Sequence, residues 1–297
     1  MTRPQRIGFI GLGMMGTPMA QCLAKAGFEV VIADTDQQRV QALLADARFT
    51  LLEPAAASSL DALITMLPNS AIVERVVLGT DGASGWAQRL RKGATVIDMS
   101  SSEPARSRDL GATLETMGIE YLDAQVSGGV KRAIEGTLAI LVGGKDTVMA
   151  NFADVLGAMG KSLHIGAAGA GHAAKALNNY VSATGLMATV EALQVAARFG
   201  IDPHVMTDVL NASSGRSNTS ENKVKQFMLS ETWGSGFAML LMDKDLKIAK
   251  ALAETLDYPL PLGKAAIDLW GELSKQADAK TDHTEMYRLM PLRKNAG

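Results

Sequence analysis

Apolar positions fall into two textures along the chain. Up to about residue 165, short apolar runs alternate with longer helical stretches. "RIGFI" (6–10) leads into "GLGMMG" (11–16), and "TPMAQCLAKAG" then predicts a helix closed by Gly27 as a C-terminal glycine cap. "EVVIADTD" (29–36) predicts a second strand ending in acid. "DALITMLPNS" (61–70) and "ATVIDMSSSEP" (94–104) each predict a buried strand that runs into a turn, and "IEYLDAQVSGG" (119–129) and "GTLAILVGG" (136–144) supply further strands.

Strands that alternate with helices predict an α/β domain, a Rossmann-type, doubly wound and mostly parallel sheet. In such sheets ligands sit beyond the carboxyl ends of the strands, here the turns at Pro68, Ser101 and Ser127. From Gly169 the strands stop and long Ala, Leu and Met-rich stretches begin. The reading is therefore a nucleotide domain over 1–165 and an all-α C-terminal domain over 166–297, joined by a long helix. That helix, about 28 residues between Gly171 and Gly200, is about 40 Å long at 1.5 Å per residue. Gly185 within it predicts close packing against another helix. Phe237 to Glu254 predicts a further amphipathic helix, and Ser213 to Lys223 a polar loop.

Composition narrows the class. The 297 residues are enough for two domains, and 47% hydrophobic against 20% charged residues excludes a disordered chain. A formal net charge of −2 with no long basic block argues against nucleic acid. Cys22 is the only cysteine, which excludes an intrachain disulfide and fits a reducing compartment. Arg3 and Arg6 ahead of apolar residues resemble a secretory signal, but Gly8, Gly11, Gly13 and Gly16 interrupt the run. No apolar stretch reaches the roughly 20 residues of a membrane span, so the expectation is a cytoplasmic protein.

The glycine turn carries the first chemistry. Gly11 allows the tight turn, Gly13 the approach of a pyrophosphate, and Gly16 the close packing of the helix on the strand. Asp34 follows Gly16 by 18 residues, near the offset at which an acid meets the adenosine ribose. A carboxylate accepts from a 2′-hydroxyl and repels a 2′-phosphate, so NAD is favoured over NADP. A Ser-Gly-Gly turn at 127–129, directly before Val130, Lys131 and Arg132, suggests an anion pocket. Lys175 and Asn179 share a helix face, either as an exposed lysine beside a satisfied asparagine or as a proton-transfer group beside a substrate-orienting one. Lys244 and Asp245 read as a solvated helix start or as part of a site. His164, His172, His204 and His283 have no metal-ligand spacing, and Met14, Met15, Met19, Met239 and Met242 read as core filling.

Taken together, "GFIGLGMMGTPMA" (8–20), "DAQVSGG" (123–129), "GAGHAAKALNN" (169–179) and "KDLKIA" (244–249) resemble, in this order, the 3-hydroxyisobutyrate dehydrogenase family of β-hydroxyacid dehydrogenases. The resemblance implies NAD(P)-dependent interconversion of a short 3-hydroxy acid and its semialdehyde or oxo acid, in a homodimer or homotetramer. By position it makes Lys175 the catalytic lysine, Asn179 the substrate-orienting residue, and Ser127, Gly128 and Gly129 the loop that holds the substrate carboxylate. It assigns Gly11, Gly13, Met14, Met15, Gly16, Asp34, Leu67, Pro68, Ser101 and Lys244 to the cofactor, and no residue to a metal. Lys175 is then expected to have a lowered pKa through partial burial.

The chain departs from the family pattern at two places, and the second bears on substrate. Gln125 stands where the family has Pro, and Lys131 and Arg132 stand where small residues are common. A basic residue there resembles the sugar-acid branch, so a threonate-like or doubly anionic acid is the alternative substrate, against solvated cations that face away. Imine reduction is disfavoured by Lys175, and 6-phosphogluconate-type oxidation by the short helical half. A non-catalytic binding or regulatory relative is the alternative from another class, disfavoured because the lysine is kept.

Overall fold

Each apolar run predicted as a strand forms one. The computed structural model describes residues 5–80 and 82–290. Its strands are β1 (Arg6–Ile10), β2 (Glu29–Ala33), β3 (Phe49–Leu51), β4 (Ala62–Thr65), β5 (Gly79–Thr80), β6 (Ala83–Ser84), β7 (Thr95–Asp98), β8 (Glu120–Ser127), β9 (Leu138–Gly144) and β10 (Gly160–Gly166). β5 and β6 form a separate small hairpin. The other eight make one sheet in the order β10-β9-β8-β7-β4-β1-β2-β3. Every pairing in it is parallel except β8 with β9. β3 and β10 were not foreseen. Both lie at sheet edges, where a strand buries one face or less and carries no continuous apolar run.

Side chains alternate between two cores. Ile7, Phe9, Val30, Ile32, Ile64 and Ile97 join one apolar cluster with the helix Gly16–Lys25. Ile10, Val31, Leu63 and Val96 point the other way and pack with Val73, Val77, Leu110 and Leu114. Both faces are covered, so the strands read as unbroken apolar runs rather than alternating ones.

By compactness the chain divides into a unit ending at Lys175 and a unit beginning at Ala176, a division that falls inside the 30-residue helix Ala170–Phe199. The second unit is helical, with Leu186, Val190, Leu193, Met239, Met242, Leu246 and Trp270 in its core. Two expectations are corrected. Nothing lies within 4 Å of where a methyl on Gly185 would sit, so this glycine marks no close helix packing. The 213–223 segment is not all loop: Ser217 and Ser220 form a reciprocal capping box that starts the helix Asn218–Asn222.

Candidate active site

The sheet order changes direction between β1 and β4, and the turns beyond their carboxyl ends are the glycine turn and the 66–68 turn. Gly11 has φ +102°, and a methyl group there would lie 2.3 Å from the Met66 carbonyl oxygen, so the two turns touch through a position open only to glycine. A methyl on Gly16 would lie 1.8 Å from the Gly11 oxygen. At Gly13, by contrast, a methyl would meet only Arg39 Nη1, at 3.8 Å, which leaves its backbone approachable. Met14 is 79% exposed at the tip of the turn, which corrects its reading as core filling; Met19, Met239 and Met242 are buried. Asp34 is fixed at the end of β2: Oδ2 accepts from Leu12 N–H at 2.5 Å and Oδ1 from Asp36 N–H at 2.8 Å. An approachable glycine backbone beside a pinned carboxylate fits a dinucleotide, the first for its pyrophosphate and the second for its ribose diol.

The neighbouring turns are tied to this one. Leu67 N–H donates to Ser100 Oγ at 2.8 Å, joining the turn after β4 to the turn after β7. Asp98, fully buried, accepts from Thr65 Oγ1, Ser100 N–H and Ser102 Oγ at 2.9, 3.0 and 2.7 Å. Ser101 is half-buried and Pro68 exposed.

At the end of β8, two distant motifs meet. Lys175 Nζ donates to Ser127 Oγ at 3.3 Å, and Lys175 is only 9% exposed, which sets aside the solvated-lysine reading. Gly128 has φ +134°, and a methyl there would lie 2.5 Å from Arg132 Cδ. The Cβ side of this glycine is filled by the Arg132 stem. Gly129 starts the short helix Gly129–Glu135.

One turn before Lys175, buried His172 has its Nδ1 2.8 Å from Ser107 Oγ and its Nε2 2.9 Å from the Ser100 carbonyl. A carbonyl only accepts, so Nε2 carries the proton of that bond. Asp123, fully buried, accepts from the backbone N–H of Gly169 and of His172 at 2.7 and 2.9 Å, and so fixes the start of the long helix. Tyr121 is pushed well above the usual tyrosine range by burial and by the charges of Asp98 and Asp123. No sequence signal points to Asp123, inside β8, whereas Asp98 closes the apolar run of β7 and could have been found by that position.

In the second unit, Asn179 Nδ2 donates to Asp245 Oδ2 at 2.6 Å, and Asn178 donates to Asn179 Oδ1 at 3.2 Å. Asp245 is buried and Lys244 half-buried, both inside the helix Met239–Thr255, which corrects their reading as a solvated helix start. Burial pushes the Lys244 ammonium below the usual lysine range, with Asp245 partly opposing the shift. Among the described residues no group of three His, Cys, Asp or Glu side chains is placed to hold a metal.

The chain is similar to known proteins over most of its length. The family model described as the NAD binding domain of 6-phosphogluconate dehydrogenase matches residues 6–169. The one described as the NAD-binding domain of NADP-dependent 3-hydroxyisobutyrate dehydrogenase matches residues 169–290. The chain is 36% identical to 2-(hydroxymethyl)glutarate dehydrogenase of Eubacterium barkeri, over 91% of this chain and 89% of that protein. It is 35% identical to human mitochondrial 3-hydroxyisobutyrate dehydrogenase, over 96% of this chain and 86% of that protein. The solved structure of Mycobacterium tuberculosis 3-hydroxyisobutyrate dehydrogenase with L-serine superposes with a TM-score of 0.88 at 30% identity, covering 97% of this chain and 99% of that one.

Proposed function

The chain belongs to the 3-hydroxyisobutyrate dehydrogenase family and is an NAD(P)-dependent hydroxyacid dehydrogenase; from that premise we propose that it oxidises a short, 3-hydroxyisobutyrate-like 3-hydroxy acid to its semialdehyde, with NAD preferred. The observation that carries this reading is the 3.3 Å contact of Lys175 Nζ with Ser127 Oγ, which brings a proton-transfer group to the loop best suited to a carboxylate.

The bound nicotinamide supplies the hydride acceptor. Gly11, Gly13, Met14, Met15 and Gly16 hold the pyrophosphate, Asp34 the adenosine ribose, and Leu67, Pro68 and Ser101 line the cofactor from the next two turns. Ser127 with the N–H groups of Gly128 and Gly129 holds the substrate carboxylate. Lys175, as the neutral amine, takes the hydroxyl proton as the C–H bond gives up its hydride, and returns it in the reverse reduction. Asn179, its amide oriented by Asp245, lies four residues along the same helix face and orients the hydroxyl. Lys244 meets the anionic cofactor.

Leu177, Val181, Val195 and Phe199 are exposed at helical spacing along one face of the long helix, Phe199 by 84%. Such a stripe supports a homodimer or homotetramer. No described helix is long and apolar enough to cross a membrane. The lone Cys22 suits a reducing compartment, and the cytoplasm is the one proposed.

The test follows reduced-nicotinamide absorbance with NAD and NADP over 3-hydroxyisobutyrate, 3-hydroxypropionate, glycerate and threonate. Turnover that is lost in Lys175→Ala is expected. Full activity of that variant would remove the lysine from the mechanism, and the absence of turnover on every acid would remove the substrate class.

A further inference from the structure

We propose that Arg132 forms an anion subsite beside the Ser127–Gly129 loop, and that the preferred substrate is a 3-hydroxy acid carrying a second carboxylate on its 2-position branch. The inference rests on the reading of that loop as the holder of the first carboxylate.

Gly128 directly follows Ser127, whose hydroxyl touches Lys175. The place where any other residue would put its Cβ is filled by the Arg132 stem, with Cδ at 2.5 Å, Cβ at 2.9 Å and Cγ at 3.1 Å. The stem is thus folded back over the loop. Nε, one bond beyond Cδ, lies within about 4 Å of the same point. Glycine at 128 is what admits the arginine, since a methyl group at these distances would force the stem away. The exposed guanidinium of Arg132 makes no hydrogen bond or ion pair with any described residue, while its backbone carbonyl accepts from Thr137 N–H. A cation held against a loop by its stem, with its head uncommitted, is placed to receive an anion.

A carboxylate fits that head better than the hydroxyls of a sugar acid. The guanidinium presents a planar fork of donors that matches two carboxylate oxygens, and it offers no acceptor for a hydroxyl proton. Lys131 is one residue earlier on the same short helix, about 100° round the axis from Arg132, and is not among the nearest atoms to the Cβ position of Gly128, so it is not part of the subsite.

The test compares 2-(hydroxymethyl)glutarate with 2-(hydroxymethyl)pentanoate, in which a methyl group replaces the distal carboxylate. The wild-type protein is expected to favour the dianion in kcat/KM by about ten- to a hundredfold, the range of a hydrogen-bonded charge pair. The preference should reside mainly in KM and shrink as salt is raised. Arg132→Gln should bring the ratio near one, Arg132→Lys should keep part of it as a point charge, and Lys131→Gln should leave it in place. A wild-type ratio near one, or a preference that survives in Arg132→Gln, overturns the subsite and leaves the dehydrogenase reading standing. Failure of both acids and of 3-hydroxyisobutyrate with either cofactor overturns the reading beneath it, and the subsite with it.

Discussion

His172 Nε2 lies 2.9 Å from the Ser100 carbonyl oxygen, so the helix that carries Lys175 is tied to the turn after β7, which in turn holds Leu67 N–H through Ser100 Oγ. One buried side chain therefore links the proposed cofactor turns to the proposed proton-transfer group. His172→Ala is expected to lower kcat by about ten- to a hundredfold, through misplacement of Lys175 rather than loss of a reacting group. His172→Gln, whose amide can donate to the same carbonyl, should recover most of it. Equal loss in both variants, matched by equal loss of thermal stability, would reduce His172 to a packing residue.

Lys175→Met keeps the stem and removes the amine. The expected loss in hydroxy acid oxidation is about a hundred- to ten-thousandfold, the usual share of acid–base catalysis. Binding of NADH, followed by nicotinamide fluorescence, should stay close to that of the wild type, because no step assigned to the cofactor turns involves this amine.

Cofactor choice should turn on Asp34. Asp34→Asn removes the charge that repels a 2′-phosphate while keeping an acceptor for Leu12 N–H. Arg39 is already nearby, with Nη1 3.8 Å from the methyl position of Gly13 and an ion pair to Asp36. NADP turnover is expected to rise about tenfold or more, and Arg39→Ala in the Asp34→Asn background should abolish the gain. Steady-state kinetics with both nucleotides decides it.

Lys244 gives a pH dependence of definite sign. Its folded pKa lies below the free lysine value of about 10.4. Between the two values the unfolded chain holds a proton that the folded protein has lost, so the contribution of this group to stability rises with pH across that window. Cofactor binding runs the other way: if the ammonium meets the cofactor, KM for NAD rises as pH passes the lowered value. Lys244→Met should flatten that rise in the KM profile.

Asp282 offers an acid-side test of the second unit. Burial alone would raise its pKa, but hydrogen bonds from His283, Thr284 and Ser235 overcome that and hold it well below the usual carboxylate range. It also accepts from Gly236 N–H at 3.0 Å, anchoring a segment in which Glu231 and Trp233 have left-handed φ of 56° and 49°. Its stabilisation is present above about pH 4 and is lost as pH falls toward the folded value. Urea unfolding between pH 5 and 2 should show a decline that is shallower in Asp282→Asn.

The sequence disclosed the central strands and the glycine turn because both rest on local rules: apolar runs buried on two faces, and close approaches that only glycine permits. The edge strands β3 and β10 lacked that signal. Lys175 and Asn179 could be paired by helical spacing, but the contact of Lys175 with Ser127 spans 48 residues and no periodicity encodes it. The contact of the Arg132 stem with Gly128 is of the same kind: no spacing rule shows that a side chain four residues on fills the Cβ side of this glycine.

Because the helix Ala170–Phe199 runs unbroken through the division at Lys175 and Ala176, the two halves cannot be exchanged as modules. A recombination event at that border would have to splice in the middle of a helix and keep its register. A one-residue slip would rotate everything downstream by about 100° relative to Lys175. New specificities in this architecture should therefore arise by point changes more readily than by domain shuffling.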